Sequence, residues 1–272
     1  MFKSYSLGKV AGIELKMHGT FFLLIAFLAL SGLISGGTTT MVVEVLFVLT
    51  LFGVVVLHEL GHALTARRLG IPTRDIVLTP IGGIASLARI PTRPVHELLI
   101  TAAGPAVNVV LAALAYPVAL LVAPASPVAG WALNQFFWMN VILAGFNLLP
   151  AFPMDGGRLL RAYLAMRGDY LQATRTAARI GRMMAWVFGL AGLFVTPMLI
   201  LIGVFVWFGA TAEEAAVAVR YRAATHPLQF VVGSMFGRPT VDADGPDILF
   251  SRPAAGPRRP NVVVDADYTV RR

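Results

Sequence analysis

The chain has 272 residues, of which 57% are hydrophobic and only 13% are charged, and its mean hydropathy is +0.75. Soluble domains carry about twice this charged fraction, so the composition excludes an ordinary soluble protein and predicts an integral membrane protein. The net charge is +8, but the basic residues lie between apolar segments, where they act as topology signals and not as a nucleic-acid surface. Cysteine is absent, which excludes disulfides and thiolate metal sites and leaves histidine and carboxylates as metal ligands.

Apolar segments long enough to cross a bilayer recur along the chain. A spanning helix needs about 20 apolar residues. We predict six such segments, at residues 20–35, 41–67, 98–123 and 131–149, with two more within 177–216. Pro197 divides that last region, because proline interrupts a helix. The start of the chain has no small-residue cleavage site after a short apolar core, so we expect no removable signal peptide.

The positive charges agree with six spans. Lysines and arginines precede the first span and follow the second, fourth and sixth, whereas the other connections, such as GGTTT and PASPVAG, carry none. Basic loops lie on the cytoplasmic side. The pattern therefore predicts a multi-pass protein with both termini in the cytoplasm, in the plasma (inner) membrane if the source is bacterial.

Two segments do not fit a spanning helix. Residues 71–91 are rich in β-branched side chains around Gly82 and Gly83. We interpret them either as a membrane-associated β-hairpin, covered by protein or water, or as a cytoplasmic loop. Residues 223–272 are polar and rich in proline and glycine, which predicts a weakly ordered cytoplasmic tail. The predicted fold is thus an all-α polytopic domain over residues 1–222, with a small hairpin as its one candidate β element.

The second span contains the sequence VVVLHELGHALTARR, which places ionisable groups in an apolar helix. His58 and His62 are four residues apart, so they share one helix face and can reach one metal ion. With Glu59 they form an HExxH motif, whose usual chemistry is zinc with the glutamate as general base. Chance occurrence on a solvated helix is the alternative, but ionisable residues at membrane depth are functional by default.

A catalytic zinc ion needs a third protein ligand. The best candidate is Asp155, in the segment NLLPAFPMDGGR at the cytoplasmic end of the fourth span. The prolines and glycines around it would let the backbone leave the helix and bring a short carboxylate to the metal. The alternative is that Asp155 caps the helix that follows. The other candidates lie at loop positions, where we expect them to face water or headgroups: His18, His96, Glu97 and His226.

The motifs HELGH (58–62) and NLLPAFPMDGGR (147–158), in this order and on separate spans, resemble the site-2 protease family of intramembrane zinc metalloproteases. PIGGIA (80–85) and AAGPAVN (102–108) extend the resemblance, which covers residues 1–222. It implies one zinc ion held by His58, His62 and Asp155, with Glu59 as the base. The implied substrate is a membrane-spanning, regulatory protein that another protease has already trimmed.

The resemblance also implies secondary roles. It implies that Asn147 binds the substrate or the oxyanion, although an interhelical hydrogen bond explains such a residue equally well. Gly82 and Gly83 would offer a strand edge that holds the substrate extended. Asn108, in the third span, fits either a functional role or close helix packing.

This sequence departs from many family members, which carry a pair of nucleotide-binding CBS modules or a PDZ domain. About 50 residues follow Arg222, too few for a CBS pair at the usual domain size. The rival hypothesis is a non-catalytic zinc-binding membrane carrier or scaffold. A carrier needs no general base, so Glu59 separates the two. A small transporter is disfavoured, because the chain lacks two matching halves with broken helices.

Overall fold

The computed structural model describes residues 4–80, 82–87, 91, 93–225, 263–264 and 270–271. Within them, helices dominate, and a small sheet stands near the N-terminus. The elements in chain order are β1 (Ser4–Val10), β2 (Ile13–His18), α1 (Gly19–Arg68), β3 (Thr73–Thr79), β4 (Gly82–Leu87), α2 (Pro94–Val122), α3 (Pro127–Asn147), α4 (Asp155–Ala165), α5 (Tyr170–Gly192) and α6 (Met198–Thr225). The mostly helical fold agrees with the prediction.

Helix α1 folds back on itself at Gly37, which has a φ of 75° and interrupts the helical backbone. This φ lies in the left-handed region, which glycine adopts without steric cost. The rings of Phe21 and Phe52 are 4.3 Å apart, whereas a straight helix would separate these residues by roughly 46 Å. The first arm, before Gly37, and the second arm, after it, therefore lie against each other, and they correspond to the first two predicted spans.

The β structure is larger than predicted. Strands β3 and β4 pair antiparallel, so the hairpin predicted within residues 71–91 is confirmed, whereas its association with the membrane stays a prediction. The all-α prediction missed β1 and β2, which complete a four-stranded sheet in the order β1-β2-β3-β4, with β2 and β3 parallel. Lys16 donates to Asp75 across the parallel pair at 2.6 Å. This hydrogen bond holds the pKa of the Asp75 carboxyl below its usual range.

The sheet packs on the second arm of α1, beside the HELGH motif. Alternate residues of β2 and β3 point the same way, and Ile13, Leu15 and Ile76 form a buried cluster with Leu60 and Ala63 of α1. Burying each large aliphatic side chain contributes about 1.5–3 kcal/mol. One face of the motif helix is therefore fixed against the sheet, and another face is left for α2.

The remaining helices follow the predicted spans closely. Helices α5 and α6 are separate, with the break at the predicted Pro197. Among the described residues, α1, α2 and α6 are long and apolar enough to cross a membrane by length and composition. The other two predicted spans are more polar: helix α5 contains three arginines, and the continuous helix α3 carries amide side chains among its apolar residues. An integral membrane protein agrees with these findings, whereas the count of six spans stays a prediction.

The predicted tail falls almost entirely outside the described residues. Within residues 223–272, the structure gives the end of α6 and two short antiparallel strands, β5 (Val263–Val264) and β6 (Val270–Arg271). The predicted His226 position and the weakly ordered character of the tail lie outside the described part of the chain.

Candidate metal centre

The HELGH residues lie on the second arm of α1 where α2 crosses it at close range. A Cβ at Gly61 would lie 2.7 Å from the carbonyl oxygen of Ala103, so the two backbones touch here. A Cβ at Gly104 would run into the Nε2 atoms of both His58 and His62. The small residues of α2 thus bring its backbone directly against the two imidazoles.

Asp155 reaches the same place from a distant part of the chain, 97 residues after His58. Helix α3 ends at Asn147, and a non-helical connection leads to α4, whose first residue is Asp155. The N-cap of α4 is Met154, and no side-chain capping hydrogen bond forms. The alternative that Asp155 serves as a helix cap is therefore wrong.

The connection before Asp155 is held by packing. Ala151 and Met154 are buried against α5 and α6, and Phe152 packs on Ala177 and Ala178 of α5. A Cβ at Gly157 would lie 2.6 Å from the backbone of this connection. The glycines that follow Asp155 thus allow α4 to start directly beneath the turn, as the sequence predicted.

Three ligand atoms converge at one point. The Nε2 atoms of His58 and His62 are 3.1 Å apart, and each is 3.1 Å from Oδ2 of Asp155. His58 and Asp155 are only 5% and 8% exposed. Within the described residues, this is the group of three histidine and carboxylate side chains that could hold a metal ion.

The outer nitrogens of both histidines face acceptors. Nδ1 of His62 lies 2.8 Å from the carbonyl oxygen of Ile100, and Nδ1 of His58 lies 2.5 Å from Oδ1 of Asn108. A neutral imidazole has one N–H and one lone pair, so each Nδ1 carries the hydrogen. The two Nε2 lone pairs and the Asp155 oxygen therefore point at one another.

This donor set fits a metal ion. Three electron-rich atoms at 3.1 Å repel one another unless a cation lies between them, and a tetrahedral zinc site with bonds of about 2.05 Å separates its ligands by about 3.3 Å. Two neutral imidazoles and one carboxylate, with hydrogen-bonded outer nitrogens, are an established catalytic zinc arrangement. The residues present thus fit one zinc ion.

Glu59 lies beside this group and against the edge strand of the sheet. A Cβ at Gly83 would lie 2.6 Å from Cγ of Glu59, so the β4 backbone runs directly past the glutamate. Gly82 has a φ of 144°, and a Cβ added there would meet no atom within 4 Å. The sequence pointed to Gly82 and Gly83 as one unit, whereas the structure puts Gly83 in contact with the motif.

Asn147 stands at the end of α3, with its Nδ2 donating to the carbonyl of Leu143 at 2.9 Å. An amide nitrogen has two hydrogens, so one remains after this bond. The described contacts include no link from Asn147 to the metal-ligand group, and its substrate role stays a prediction.

Sequence reasoning missed a buried ion cluster that joins α2, α4 and α6. Glu97 was expected to face water, but it is 5% exposed and accepts two hydrogen bonds from Arg161 of α4. Arg161 also donates to Glu213 of α6. The cluster ties α4, and hence Asp155, to two other helices. The spacing of Glu97 and Arg161 along the chain gives no signal of this pairing. His18, also expected to face water, accepts at the N-terminus of α1.

Comparison with known proteins identifies the family. The family model for Peptidase family M50 matches residues 46–132 and 125–188, which together cover more than half of the chain and contain all three candidate ligands. The chain belongs to peptidase family M50. The resemblance to site-2 proteases that the sequence motifs indicated is thereby confirmed.

Two relatives are similar to this chain in sequence. The zinc metalloprotease MJ0392 of Methanocaldococcus jannaschii is 41% identical over 232 residues, which are 79% of this chain and 62% of that protein. The putative zinc metalloprotease Rip3 of Mycobacterium tuberculosis is 33% identical over 234 residues, or 79% of this chain and 59% of Rip3. The chain thus spans about three fifths of these relatives.

A solved structure covers the same region. The site-2 protease from Methanocaldococcus jannaschii is 36% identical to this chain and superimposes with a TM-score of 0.57, covering 78% of this chain and 95% of that structure. The described fold is therefore similar to that of a solved site-2 protease over nearly the whole of the solved structure.

Proposed function

We propose that this chain is an intramembrane zinc metalloprotease of the site-2 type, which hydrolyses a peptide bond in or near a transmembrane segment of another protein. The observation that carries the proposal is the convergence of His58, His62 and Asp155, the last 97 residues beyond the first, into a triangle with 3.1 Å edges. Membership of family M50 and relatives named zinc metalloproteases support it.

Each residue has a distinct part in the proposed reaction. His58, His62 and Asp155 would hold one zinc ion, which when bound supplies the Lewis acidity that makes water more acidic and polarises the scissile carbonyl. Glu59 takes a proton from the attacking water and passes it to the leaving amine. The free amide hydrogen of Asn147 donates to the oxygen on which negative charge develops.

The substrate would bind as an added strand. A peptide bond within a helix is shielded by its own hydrogen bonds, so the substrate segment must unwind before cleavage. Strand β4 is an edge of the sheet, and its Gly83 backbone touches Glu59. An extended substrate paired with β4 would gain main-chain hydrogen bonds and lie beside the general base. We infer a membrane protein, regulatory and already trimmed by another protease, as the substrate.

The proposed topology has six spans, counted as the two arms of α1 together with α2, α3, α5 and α6. The basic connections favour both termini on the cytoplasmic side, and hence a metal centre near the cytoplasmic face of the membrane, which is the plasma (inner) membrane if the source is bacterial. Residues 1–222 would form the protease domain, and residues 223–272 a cytoplasmic tail.

Replacing the general base separates this proposal from a zinc carrier or scaffold. Glu59→Gln should keep bound zinc and lower cleavage by at least 100-fold, because general-base catalysis contributes about 10²–10⁴-fold. Glu44→Gln, near the far end of the same arm of α1, is the control and should cleave normally. Proteomics on cells producing each variant would show membrane proteins that accumulate uncut with Glu59→Gln only. Undiminished cleavage by that variant would overturn the mechanism.

A further inference from the structure

Two buried asparagines extend inward from His58 in a continuous line of hydrogen bonds. Oδ1 of Asn108 lies 2.5 Å from Nδ1 of His58, Nδ2 of Asn108 donates to Oδ1 of Asn140 at 3.0 Å, and Nδ2 of Asn140 donates to the carbonyl of Phe136 at 2.9 Å. Both asparagines are 0% exposed. Burying an amide is costly unless it is hydrogen-bonded. Two fully buried amides joined in this way therefore suggest that the line of hydrogen bonds has a role.

The direction of every bond in the line is fixed at its far end. A backbone carbonyl can only accept, so Asn140 must present its amide nitrogen to Phe136 and its oxygen to Asn108. Asn108 must then donate to Asn140 and present its own oxygen to His58. That oxygen can only accept, so Nδ1 of His58 carries the hydrogen and Nε2 keeps its lone pair.

Asn140 is needed because the side-chain amide of Asn108 could otherwise rotate by a half-turn and exchange its oxygen and nitrogen. His62 is oriented by the Ile100 carbonyl, which has no donor to offer in any orientation. Asn108 has both a donor and an acceptor at its tip, and a half-turn of its amide would present N–H₂ to His58. The bond to Asn140 opposes that half-turn.

We propose that Asn108 and Asn140 are positioning residues that hold His58 in the tautomer able to bind metal. The inference rests on the proposed function, in which His58 is a zinc ligand. Partners of this kind typically change metal affinity by about 10–100-fold. The competing explanation is that the Asn108–Asn140 bond only joins α2 to α3.

Zinc affinity of the full chain, purified in detergent and measured by competition with a chelator, distinguishes the two explanations. Asn108→Asp gives up the donor to Asn140 but still offers His58 an acceptor oxygen, whereas Asn108→Leu offers His58 none. We expect Asn108→Leu to bind zinc about 10–100-fold more weakly than wild type, and Asn108→Asp to remain within about threefold of it. Asn134→Leu, on the exposed side of α3, is the control and should leave zinc affinity unchanged.

A second pair of variants tests the relay, meaning the line of hydrogen bonds from Phe136 through Asn140 and Asn108 to His58, without altering Asn108, the direct neighbour of His58. Asn140→Asp gives up the donor to Phe136 but keeps an oxygen that accepts from Asn108, so zinc affinity should stay near wild type. Asn140→Leu removes that oxygen and should weaken zinc binding by about three- to tenfold. This pair also decides the question if Asn108→Leu does not fold. Thermal unfolding of the zinc-free variants reports the helix-joining contribution separately.

The outcomes separate this inference from the proposed function. Zinc binding that is lost in His58→Ala, yet equal in the aspartate and leucine variants at each asparagine, would overturn the relay and leave the metal centre standing. Zinc binding that persists in His58→Ala would overturn both. A loss confined to the leucine variants supports the relay.

Discussion

Replacing Gly104 by alanine should disable the metal centre while leaving the fold intact. A Cβ at this position would lie 2.7 Å from Nε2 of His58 and closer still to Nε2 of His62, and all three of its nearest atoms belong to these two rings. Ordinary van der Waals contact begins at 3.4 Å. Both rings must therefore move, the His58 ring by about 0.7 Å and the His62 ring by more.

That displacement is large for a metal site, where ligand distances stay within about 0.2 Å of their ideal values. The rings cannot move freely, because the Nδ1 atoms are held by Asn108 and by the Ile100 carbonyl. A misplacement near 1 Å costs about 100-fold in activity. We therefore expect zinc affinity and cleavage rate each to fall by about 100-fold.

The assay is chelator competition for zinc on the purified chain, together with cleavage of a co-expressed membrane protein. Gly145→Ala, in helix α3, is the matched control, since its Cβ would have no atom within 4 Å. Alanine favours a helix over glycine by about 0.5–1 kcal/mol, so neither variant should melt earlier through helix propensity. Zinc affinity within about threefold of wild type in Gly104→Ala would refute the reasoning.

Three further predictions concern the surroundings of the site. Gly83→Ala places a Cβ 2.6 Å from Glu59 and should lower kcat by about tenfold with zinc retained, as measured by cleavage beside zinc content. Arg161→Leu leaves the buried Glu97 carboxylate without its partner, so thermal unfolding should show a loss of about 3 kcal/mol, partly recovered when Glu97→Gln is added. The lowered pKa of Asp75 means that its stabilising contribution is complete above about pH 4 and is lost as the pH falls through the folded-state pKa. Hydrogen-exchange protection of β3 should therefore fall in acid in wild type and not in Asp75→Asn.

Opposite results would be equally clear. Full activity in Gly83→Ala would show that β4 can move away from Glu59 without cost. An unchanged melting temperature in Arg161→Leu would mean that water reaches Glu97. Equal acid sensitivity in wild type and Asp75→Asn would assign the acid loss to other carboxylates.

Much of the fold could be predicted because its signals are local. The apolar segments, the glycines between the arms of α1 and the break at Pro197 are readable from short windows of sequence. Strand β2 was missed although it has a local signal, because Ile13 and Leu15 alternate with Glu14 and Lys16. The strand is short and directly precedes a long apolar helix, so this period-two pattern was overlooked. Strand β1 is exposed along its length and carries no such pattern, so its pairing with β2 gives the first evidence of it.

The sequence by itself determined the class of protein and the chemistry available to it. A low charged fraction requires a membrane, and two histidines four residues apart on an apolar helix require a partner such as a metal, because uncompensated ionisable groups are costly there. The sequence also offered Asp155 as the third ligand, and the tertiary structure brings it to His58 across 97 residues. The Asn108–Asn140 line and the Glu97–Arg161 pair join distant segments too, and only the tertiary structure revealed these contacts. Such contacts depend on how helices cross and where connections turn, which is set by the packing of the whole molecule and by no local pattern.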